Sequence, residues 1–374
     1  MPNLPATGTF VTRLWRPGIG PAVVLHRAGA LIDITTPETP TMRDLLERDD
    51  LAAYLAAAKG PALPLPTGFE PTHQTPHFLS PADLQAIKAC GVTFARSMIE
   101  RVIEERAAGD PRRATSIRAR VTAVIGESLR NLVPGSPQAA EVKRLLQAES
   151  LWSQYLEVGI GPDAEIFTKA PPMSSVGHNA TVGLHPISKW NNPEPEVVLA
   201  VDSQGRVKGV TLGNDVNLRD VEGRSALLLG KAKDNNAAAA IGPFIRIFDD
   251  SFGIEDVRQL ELTLTVTGTD GFTLTGRSSM AEISRDPLDL VAQTIGRHHQ
   301  YPDGFMLYCG TMFAPVQDRD GPGQGFTHHI GDVVTIATPA LGALTNVVRL
   351  STEAPPWTFG TAALMRILAV RGLI

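Results

Sequence analysis

The spacing of apolar and polar positions divides the chain into three segments. Residues 1–80 contain short apolar stretches such as PAVVLHRAGALIDI, which includes a glycine-containing turn, and one helical stretch, TMRDLLERDDLAAYLAAA. Residues 81–155 repeat apolar positions at helical spacing, and residues 156–374 return to short β runs separated by Gly, Pro and Asn. The pattern predicts an α+β protein with a small N-terminal α+β domain, a helical connecting or lid region, and a C-terminal domain built on a β-sheet.

Three shorter patterns refine this division. SPADLQAIKAC predicts a helix that starts near Ser80, because a serine at the N-cap is followed by a proline at the first helical position. The charges of RVIEERAAGDPRRATSIRAR predict a solvated helical face. EVVLAVDSQGRVKGVTLG predicts a β-hairpin that turns between Ser203 and Gly205.

Composition and charge narrow the class of protein. The 374 residues are 43% hydrophobic and 20% charged, as in an ordinary soluble globular protein. The net charge of -5 without a basic stripe argues against a nucleic-acid partner. No run approaches the roughly 18 apolar residues of a membrane span. Cys90 and Cys309 are far apart and lack metal-ligand spacing, so we expect a cytoplasmic protein without a disulfide framework.

The candidate chemistry begins with paired carboxylates at the start of an apolar run, WNNPEPEVVLAV. Strand residues two apart share a face, so Glu194 and Glu196 would point to one place, and Pro195 suits a strand start. The predicted hairpin returns the chain to GNDVNLRD, which brings Asp215 near. Three converging carboxylates repel one another unless a cation lies between them, and an all-oxygen set suits Mg²⁺, Mn²⁺ or Ca²⁺.

The same residues carry a family resemblance. PEPEVVLAV, GNDVNLRD and GKAKDNNAAAAIGP together resemble the fumarylacetoacetate hydrolase superfamily. Over nearly the whole chain, longer stretches such as LWSQYLEVGIGPDAEIFTK, LGNDVNLRDVEGRSALLL, GTMFAPVQDRDGPGQGFTH and PWTFG are similar to 2-keto-3-deoxy-D-xylonate dehydratases of oxidative pentose degradation. The resemblance implies a rolled mixed β-sheet in the C-terminal domain, a Mg²⁺ site that could also take Mn²⁺, a small-molecule 2-keto-3-deoxy sugar acid as substrate, and a homodimer or homotetramer.

The resemblance also assigns roles to individual residues. It implies that Glu194, Glu196 and Asp215 bind the metal. GKAKD offers both Lys231 and Lys233, and counting back from IGP matches Lys233 to the active-site lysine.

Further roles follow from other motifs. In AEIFTK the resemblance to sugar-acid dehydratases implies that Glu165 is the acid/base and Lys169 a substrate contact, and strand alternation places the two on one face. Thr311 of the GT pair and Ser97 of FARS match positions that bind substrate.

The implied reaction is loss of water from a 2-keto-3-deoxypentonate to give 2,5-dioxopentanoate. A divalent metal would stabilise the enolate that forms when a C3 proton leaves, and a lysine would balance the charge of the anionic substrate. The stereochemistry at C4 stays open between D-xylonate and arabinonate derivatives.

Two alternatives remain. One is a hydrolase that cleaves a C–C bond in a β-diketo acid, for which relatives activate water with a His–Glu pair. The chain has no histidine between His77 and His178, which favours elimination, although His178 or His185 could take that part. The other is a non-catalytic sugar-acid sensor, which would have lost the metal ligands that are all present here.

Overall fold

The computed structural model describes residues 4–108, 110, 113–114, 132–148 and 152–374. Its strands are β1 (Phe10–Arg16), β2 (Gly20–Arg27), β3 (Ala30–Asp33), β4 (Ala62–Leu63), β5 (His77–Leu79), β6 (Ala86–Gly91), β7 (Glu165–Ala170), β8 (Thr181–Leu184), β9 (Pro195–Val201), β10 (Val207–Asp215), β11 (Ala239–Ile247), β12 (Glu261–Thr267), β13 (Thr273–Ser279), β14 (Phe305–Tyr308), β15 (Val333–Thr338) and β16 (Gly342–Leu350). Its α-helices are α1 (Met42–Leu46), α2 (Leu51–Ala57), α3 (Ala95–Ala107), α4 (Pro137–Ala148), α5 (Gln154–Ile160), α6 (Arg219–Glu222), α7 (Leu229–Lys233), α8 (Ile254–Val257), α9 (Pro287–Thr294) and α10 (Thr361–Val370), with 3-10 turns at Ala226–Leu228 and Met280–Glu282.

The strands form two mixed sheets. The larger follows the order β4-β3-β2-β1-β11-β10-β9-β14-β6-β7, with β5 also paired to β1, and the smaller follows β13-β12-β15-β16-β8. β14 runs parallel to β6 and β16 runs parallel to β8, whereas β9 and β10 are antiparallel. Mixed sheets combined with helices confirm the predicted α+β class.

Strands from all three predicted segments join the larger sheet. The N-terminal strand β1 pairs with β11, and β6 from the middle segment pairs with β14 from the C-terminal segment. The division of the chain at residues 80 and 155 stays a prediction. The predicted helix of residues 41–58 is two short helices, α1 and α2.

The helix predicted to start near Ser80 is wrong. The chain there runs into strand β6, whose residues are buried or half-buried. Ser80 does not cap a helix, because its hydroxyl instead accepts a hydrogen bond from Ser175 at 2.8 Å. β6 lies between β14 and β7, so pairing with distant strands outweighs a local start signal.

The predicted hairpin is confirmed as β9 and β10. The two strands pair with Glu196 opposite Gly213, and the turn is closed by a hydrogen bond from Gly205 N to Asp202 O at 3.0 Å. Every residue of β9 is buried. Its side chains alternate between two cores, with Val197 and Leu199 on one face and Val198 on the other. A strand buried on both faces carries the acidic residues at its start into the protein interior.

Helix α3 closes the region beside this strand start. Met98, Val102 and Ile103 of α3 are buried in one cluster with Leu156 and Ile160 of α5. This packing fixes the helix and places its Arg101 side chain against Glu194, just before β9. Within the described residues, none of the helices combines the length and apolar character needed to cross a membrane.

Candidate metal centre and active site

Three carboxylates converge at the start of the β9–β10 hairpin. Glu194, Glu196 and Asp215 each offer an oxygen atom within 4.8 Å of the others, and all three are at most 1% exposed. Hairpin pairing creates this arrangement, because Asp215 N donates a hydrogen bond to Glu194 O at 3.0 Å. Asn214 Oδ1 accepts a hydrogen bond from Glu194 N at 3.2 Å and fixes the strand entry. The structure therefore brings together the three residues that the sequence singled out.

Glu196 is held by the loop that follows β14. Its Oε2 accepts a hydrogen bond from Gly310 N at 2.7 Å, and its Oε1 accepts one from Thr311 Oγ1 at 3.3 Å. Burial, and then the neighbouring Asp215 and Glu194 carboxylates, raise the pKa of Glu196 well above its ordinary value. An opposite charge beside it would reverse this shift, which is what a bound cation provides.

Basic side chains surround the other two carboxylates. Lys233 contacts Glu194 and donates a hydrogen bond to Asp215 Oδ2 at 3.2 Å, while Arg101 contacts Glu194 from the opposite side. Burial by itself would raise the pKa of Glu194, but the charges of Lys233 and Arg101 outweigh it and lower the pKa to about 2. Glu194 is therefore an anion whether or not a metal is bound.

The residues fit a hard divalent cation. All three candidate ligands are carboxylates, the donor type that Mg²⁺ and Mn²⁺ prefer. Asp215 Oδ1 is buried and accepts no hydrogen bond, although Lys169 Nζ lies 2.9 Å from it outside hydrogen-bonding geometry. With Lys169 beside it, Asp215 Oδ1 already lies next to a positive charge, the kind of neighbour that a metal ion provides.

Of the two candidate lysines, Lys233 lies in the site. Lys233 is 3% exposed and bridges Glu194 and Asp215, whereas Lys231 is exposed and its Nζ lies 2.9 Å from His185 Nε2. Burial lowers the pKa of Lys233, but the surrounding carboxylates more than offset it and raise the pKa above its ordinary value. Without a bound cation these carboxylates favour the ammonium form of Lys233, and its role in catalysis stays a prediction.

Lys169 lies behind the carboxylates. It is fully buried, and its Nζ donates hydrogen bonds to the backbone oxygens of Val216, at 3.3 Å, and of Lys233. These contacts hold Asp215 and the end of α7 together. Its direct contact with substrate stays a prediction.

A small cavity beside the carboxylates contains the predicted acid/base. Its volume is about 10 Å³, room for about one water. It is lined by Cys90, Gly91, Val92, Arg101, Glu165, Phe167, Asp215, Glu222, Lys233 and Thr311. Burial, followed by the charge of Glu222, raises the pKa of Glu165 to about 7 against the pull of Arg101 and Lys233. A carboxyl group with this pKa exchanges protons readily at neutral pH.

Two further residues, Thr311 and Ser97, were predicted to contact the substrate. Thr311 lines the cavity and contacts Glu196, as above. The Ser97 side chain lies outside the described residues, so its predicted contact with substrate stays a prediction.

Two charged residues of the cavity wall were missed from the sequence. Arg101 falls in the stretch that was expected to be a solvated helical face, and that prediction is wrong for Arg101, which is 7% exposed. Glu222, on α6, lies 2.8 Å from Arg101 Nη1 through its Oε2. Helical spacing could not have placed Arg101 or Glu222 in the site, because Arg101 pairs with Glu194 and Glu222, which are more than ninety positions away in sequence.

Neither histidine proposed for a hydrolase lies at the cavity wall. His178 Nδ1 accepts a hydrogen bond from Thr345 N at 3.1 Å, and burial lowers its pKa to about 4. His185 lies near Lys231 instead. The described wall of the cavity contains no histidine, and its only group with a pKa shifted to near neutrality is Glu165.

Comparison with known proteins places this site in a family. The family description "Fumarylacetoacetate (FAA) hydrolase C-terminal" matches residues 157–349, which include all three carboxylates, Glu165 and Lys233. The chain belongs to the fumarylacetoacetate hydrolase family. The resemblance seen in the sequence is thereby confirmed.

Two curated proteins match by sequence. A protein named "Probable 2-keto-3-deoxyxylonate dehydratase", from Haloferax volcanii, is 29% identical over 202 residues, 54% of this chain and 66% of that one. A "2-dehydro-3-deoxy-D-arabinonate dehydratase" from Saccharolobus solfataricus is 30% identical over 176 residues, 47% of this chain and 58% of that one. The matched part thus spans less than two thirds of the length of either relative.

Solved structures share the fold over a greater length. The apo form of a 2-keto-3-deoxy-D-arabinonate dehydratase superposes with a TM-score of 0.62 at 19% identity, covering 92% of this chain and 99% of that chain. The structure of the same enzyme "complexed with magnesium and 2,5-dioxopentanoate" superposes with a TM-score of 0.61, at the same identity and coverage. A fumarylacetoacetate hydrolase from Exiguobacterium antarcticum gives 0.58 at 16% identity, covering 91% of this chain and 99% of that chain. At these identities the likeness establishes the fold.

Proposed function

We propose that the protein is a divalent-metal-dependent dehydratase that converts 2-keto-3-deoxy-D-xylonate into 2,5-dioxopentanoate. One observation carries the proposal: Glu165, with its pKa raised to about 7, lines the same cavity as Asp215 of the three-carboxylate group. The names of the two curated relatives support a 2-keto-3-deoxy pentonate as substrate. The magnesium in a structure of the same fold supports Mg²⁺ as the cofactor, with Mn²⁺ as the alternative.

Glu194, Glu196 and Asp215 would hold the cation. When bound, the cation supplies Lewis-acid stabilisation for the negative charge that develops on the 2-keto group as a C3 proton is lost. Lys233 adds a positive charge next to Glu194 and Asp215. It lowers the cost of bringing an anionic substrate into a buried site.

Glu165 would move the protons. In its protonated form it gives a proton to the C4 hydroxyl, so that the C4–O bond breaks and water leaves. The resulting carboxylate can then take a proton from C5. Return of a proton to C3, protonation at C4 and loss of the C5 hydroxyl proton complete the rearrangement to a 2-oxo acid with an aldehyde at C5. The substrate loses one water and is neither oxidised nor reduced.

The assay for this function uses purified full-length protein and 2-keto-3-deoxy-D-xylonate. Formation of 2,5-dioxopentanoate is followed with a coupled semialdehyde dehydrogenase. We expect turnover that EDTA abolishes and that added Mg²⁺ restores. Turnover of a β-diketo acid in place of the sugar acid would instead identify a hydrolase.

Several finer assignments belong to the same proposal. The preference for D-xylonate over arabinonate derivatives is tested by running the assay with each isomer. A homodimer or homotetramer is carried over from the family resemblance, and a cytoplasmic location from the cysteine content of the sequence; both remain predictions.

A further inference from the structure

Thr93 connects the end of β6 to the loop that follows β14. Its side chain is completely buried, and its Oγ1 donates a hydrogen bond to Cys309 O at 2.6 Å. Gly310, the next residue of that loop, has a φ of 104°, and a Cβ atom there would overlap Thr93 Oγ1 at 2.0 Å. Thr93 therefore packs directly on the peptide unit between Cys309 and Gly310.

The same peptide unit holds a candidate metal ligand. Gly310 N donates a hydrogen bond to Glu196 Oε2 at 2.7 Å. The peptide bond between Cys309 and Gly310 is trans, and in a planar trans peptide the C=O and the N–H point in opposite directions. Thr93 thus binds one side of the peptide plane, and Glu196 accepts a hydrogen bond from the other side. A rotation of this plane would move both hydrogen bonds together.

Two backbone hydrogen bonds also tie this loop to β9. One runs from Cys309 N to Val197 O at 2.9 Å, and the other runs from Met312 N to Pro195 O at 3.3 Å. Neither bond involves the carbonyl of residue 309 or the amide of residue 310, so neither fixes the plane of the peptide that faces the metal ligand. The Thr93 hydroxyl binds that carbonyl. A donor on a peptide carbonyl also polarises the peptide, which strengthens the hydrogen bond that its N–H donates.

Thr93 is itself held by an unusual turn and by a second loop. The preceding residue, Val92, has a φ of 58°, a left-handed conformation that is costly for a β-branched residue. Thr93 O accepts hydrogen bonds from Ser284 N and from Ser284 Oγ, each at 2.8 Å. Costly backbone conformations persist where the surrounding contacts hold them, and they cluster at functional sites. These contacts fix the backbone of Thr93 opposite the loop.

We propose that Thr93 is a positioning residue for the metal ligand Glu196, acting through the peptide unit between Cys309 and Gly310. The inference rests on the divalent cation of the proposed function, and Thr93 belongs neither to the three carboxylates nor to the cavity wall. A carboxylate has about four acceptor sites, so Glu196 can keep its hydrogen bond from Gly310 N and still bind a cation. Residues that orient metal ligands contribute about 10- to 100-fold to metal affinity.

The test measures metal affinity rather than turnover. Calorimetric titration of metal-stripped protein with Mn²⁺ compares the wild type with Thr93→Val, which keeps the shape of the side chain and removes the hydroxyl. We expect Mn²⁺ to bind at least about tenfold more weakly to this variant. Thr93→Ser keeps the hydroxyl, so its affinity should lie much closer to that of the wild type.

Thr12→Val is the matched control. Thr12 is also completely buried, and its Oγ1 donates a hydrogen bond to Pro243 O at 2.7 Å, but it lies on β1 and does not line the cavity. Urea unfolding gives the free energy of unfolding of both valine variants, because each loses one buried hydrogen bond. A merely structural role of Thr93 would lower this free energy in both variants and would leave the Mn²⁺ affinity of both unchanged.

Ser284→Ala decides the question if Thr93→Val does not fold. The substitution removes one of the two hydrogen bonds that Ser284 donates to Thr93 O and keeps the bond from its backbone N–H. We expect weaker Mn²⁺ binding than in the wild type, because the backbone of Thr93 is then held less firmly. Wild-type affinity in Ser284→Ala would in that case overturn the inference.

The outcomes distinguish this inference from the proposed function. Equal Mn²⁺ affinity of Thr93→Val and Thr12→Val, or binding to Thr93→Ser as weak as to Thr93→Val, would overturn the inference alone. Absence of Mn²⁺ binding to the wild type would overturn the metal site and the inference with it. The expected order of affinities in a protein that does not dehydrate 2-keto-3-deoxy pentonates would overturn the proposed function and support the inference.

Discussion

Gly91 leaves room for the carboxylate of Glu165. The two residues are paired across β6 and β7, and a Cβ atom at position 91 would overlap Glu165 Oε2. The backbone of β6 thus determines where the proposed proton donor lies. Gly91 does not adopt a left-handed backbone conformation. Glycine is therefore required at position 91 only because a larger side chain would clash with the Glu165 carboxylate.

Gly91→Ala should therefore displace Glu165 without unfolding the protein. Because a shift of about 1 Å in a catalytic group can cost on the order of 100-fold in rate, we expect kcat to fall by about that factor while KM changes little. Steady-state kinetics measures both. Gly253→Ala is the control, since a Cβ there meets nothing within 4 Å. Equal kinetics for Gly91→Ala and the control would contradict the placement of Glu165.

The pH dependence of turnover should report the pKa of Glu165. Its pKa is raised to about 7 by burial and Glu222, so the acid form is present below this pH and is lost as the pH rises through it. We expect kcat to fall on the alkaline side of about pH 7. Glu165→Gln should lower kcat by roughly 100- to 10,000-fold, the range for a lost general acid. A variant that retains both the rate and the alkaline fall would exclude Glu165 as the donor.

Glu165 should also make the stability of the metal-free protein depend on pH. The pKa of about 7 in the folded state lies above the ordinary value of 4.5, so the folded state binds the proton more tightly than the unfolded state. This contribution to stability is fully present below about pH 4.5 and is lost as the pH rises through 7. Urea unfolding in the presence of EDTA measures the free energy of unfolding between pH 5 and 8. This free energy should decrease as the pH rises, and the decrease should be smaller in Glu165→Gln than in the wild type. An identical decrease in both proteins would show that titratable groups other than Glu165 cause the pH dependence of stability.

Lys169 is expected to act through Asp215 on the metal. Lys169→Met removes the buried cation next to Asp215 and the hydrogen bonds to Val216 and Lys233. We expect metal affinity to fall about 10- to 100-fold, as for other residues that orient metal ligands. Calorimetric titration with Mn²⁺ gives the value. Lys231→Met, which replaces an exposed lysine of α7, should leave the affinity unchanged.

The sequence was most informative about the candidate metal ligands, because they lie close together on a single local structure, the β9–β10 hairpin. Glu194, Glu196 and Asp215 could be predicted to meet because one hairpin with a short turn joins them, so strand alternation and pairing are sufficient. Lys233 could be chosen over Lys231 only by matching a family pattern. Its burial depends on α7 packing against β7, which no local pattern specifies.

Long-range partners account for what the sequence missed. Arg101 looks like one of many charges on an amphipathic helix, and only the packing of α3 against α5 turns it toward Glu194. Ser80 and Pro81, just before β6, stand in the order of a helix start, yet β6 pairs in parallel with β14, more than two hundred residues later. Such pairings depend on tertiary structure and override local preference.

The central claim is that Glu194, Glu196 and Asp215 bind one divalent cation. Calorimetric titration of metal-stripped protein with Mn²⁺ tests it most directly, in the wild type and in Glu196→Gln. The account predicts one ion per chain in the wild type and binding that is lost or at least about 100-fold weaker in the variant. The variant should still fold, because burial and the neighbouring carboxylates raise the pKa of Glu196 and so favour its neutral form when no cation is bound. Absence of binding to the wild type, or equal binding to the two proteins, would contradict it.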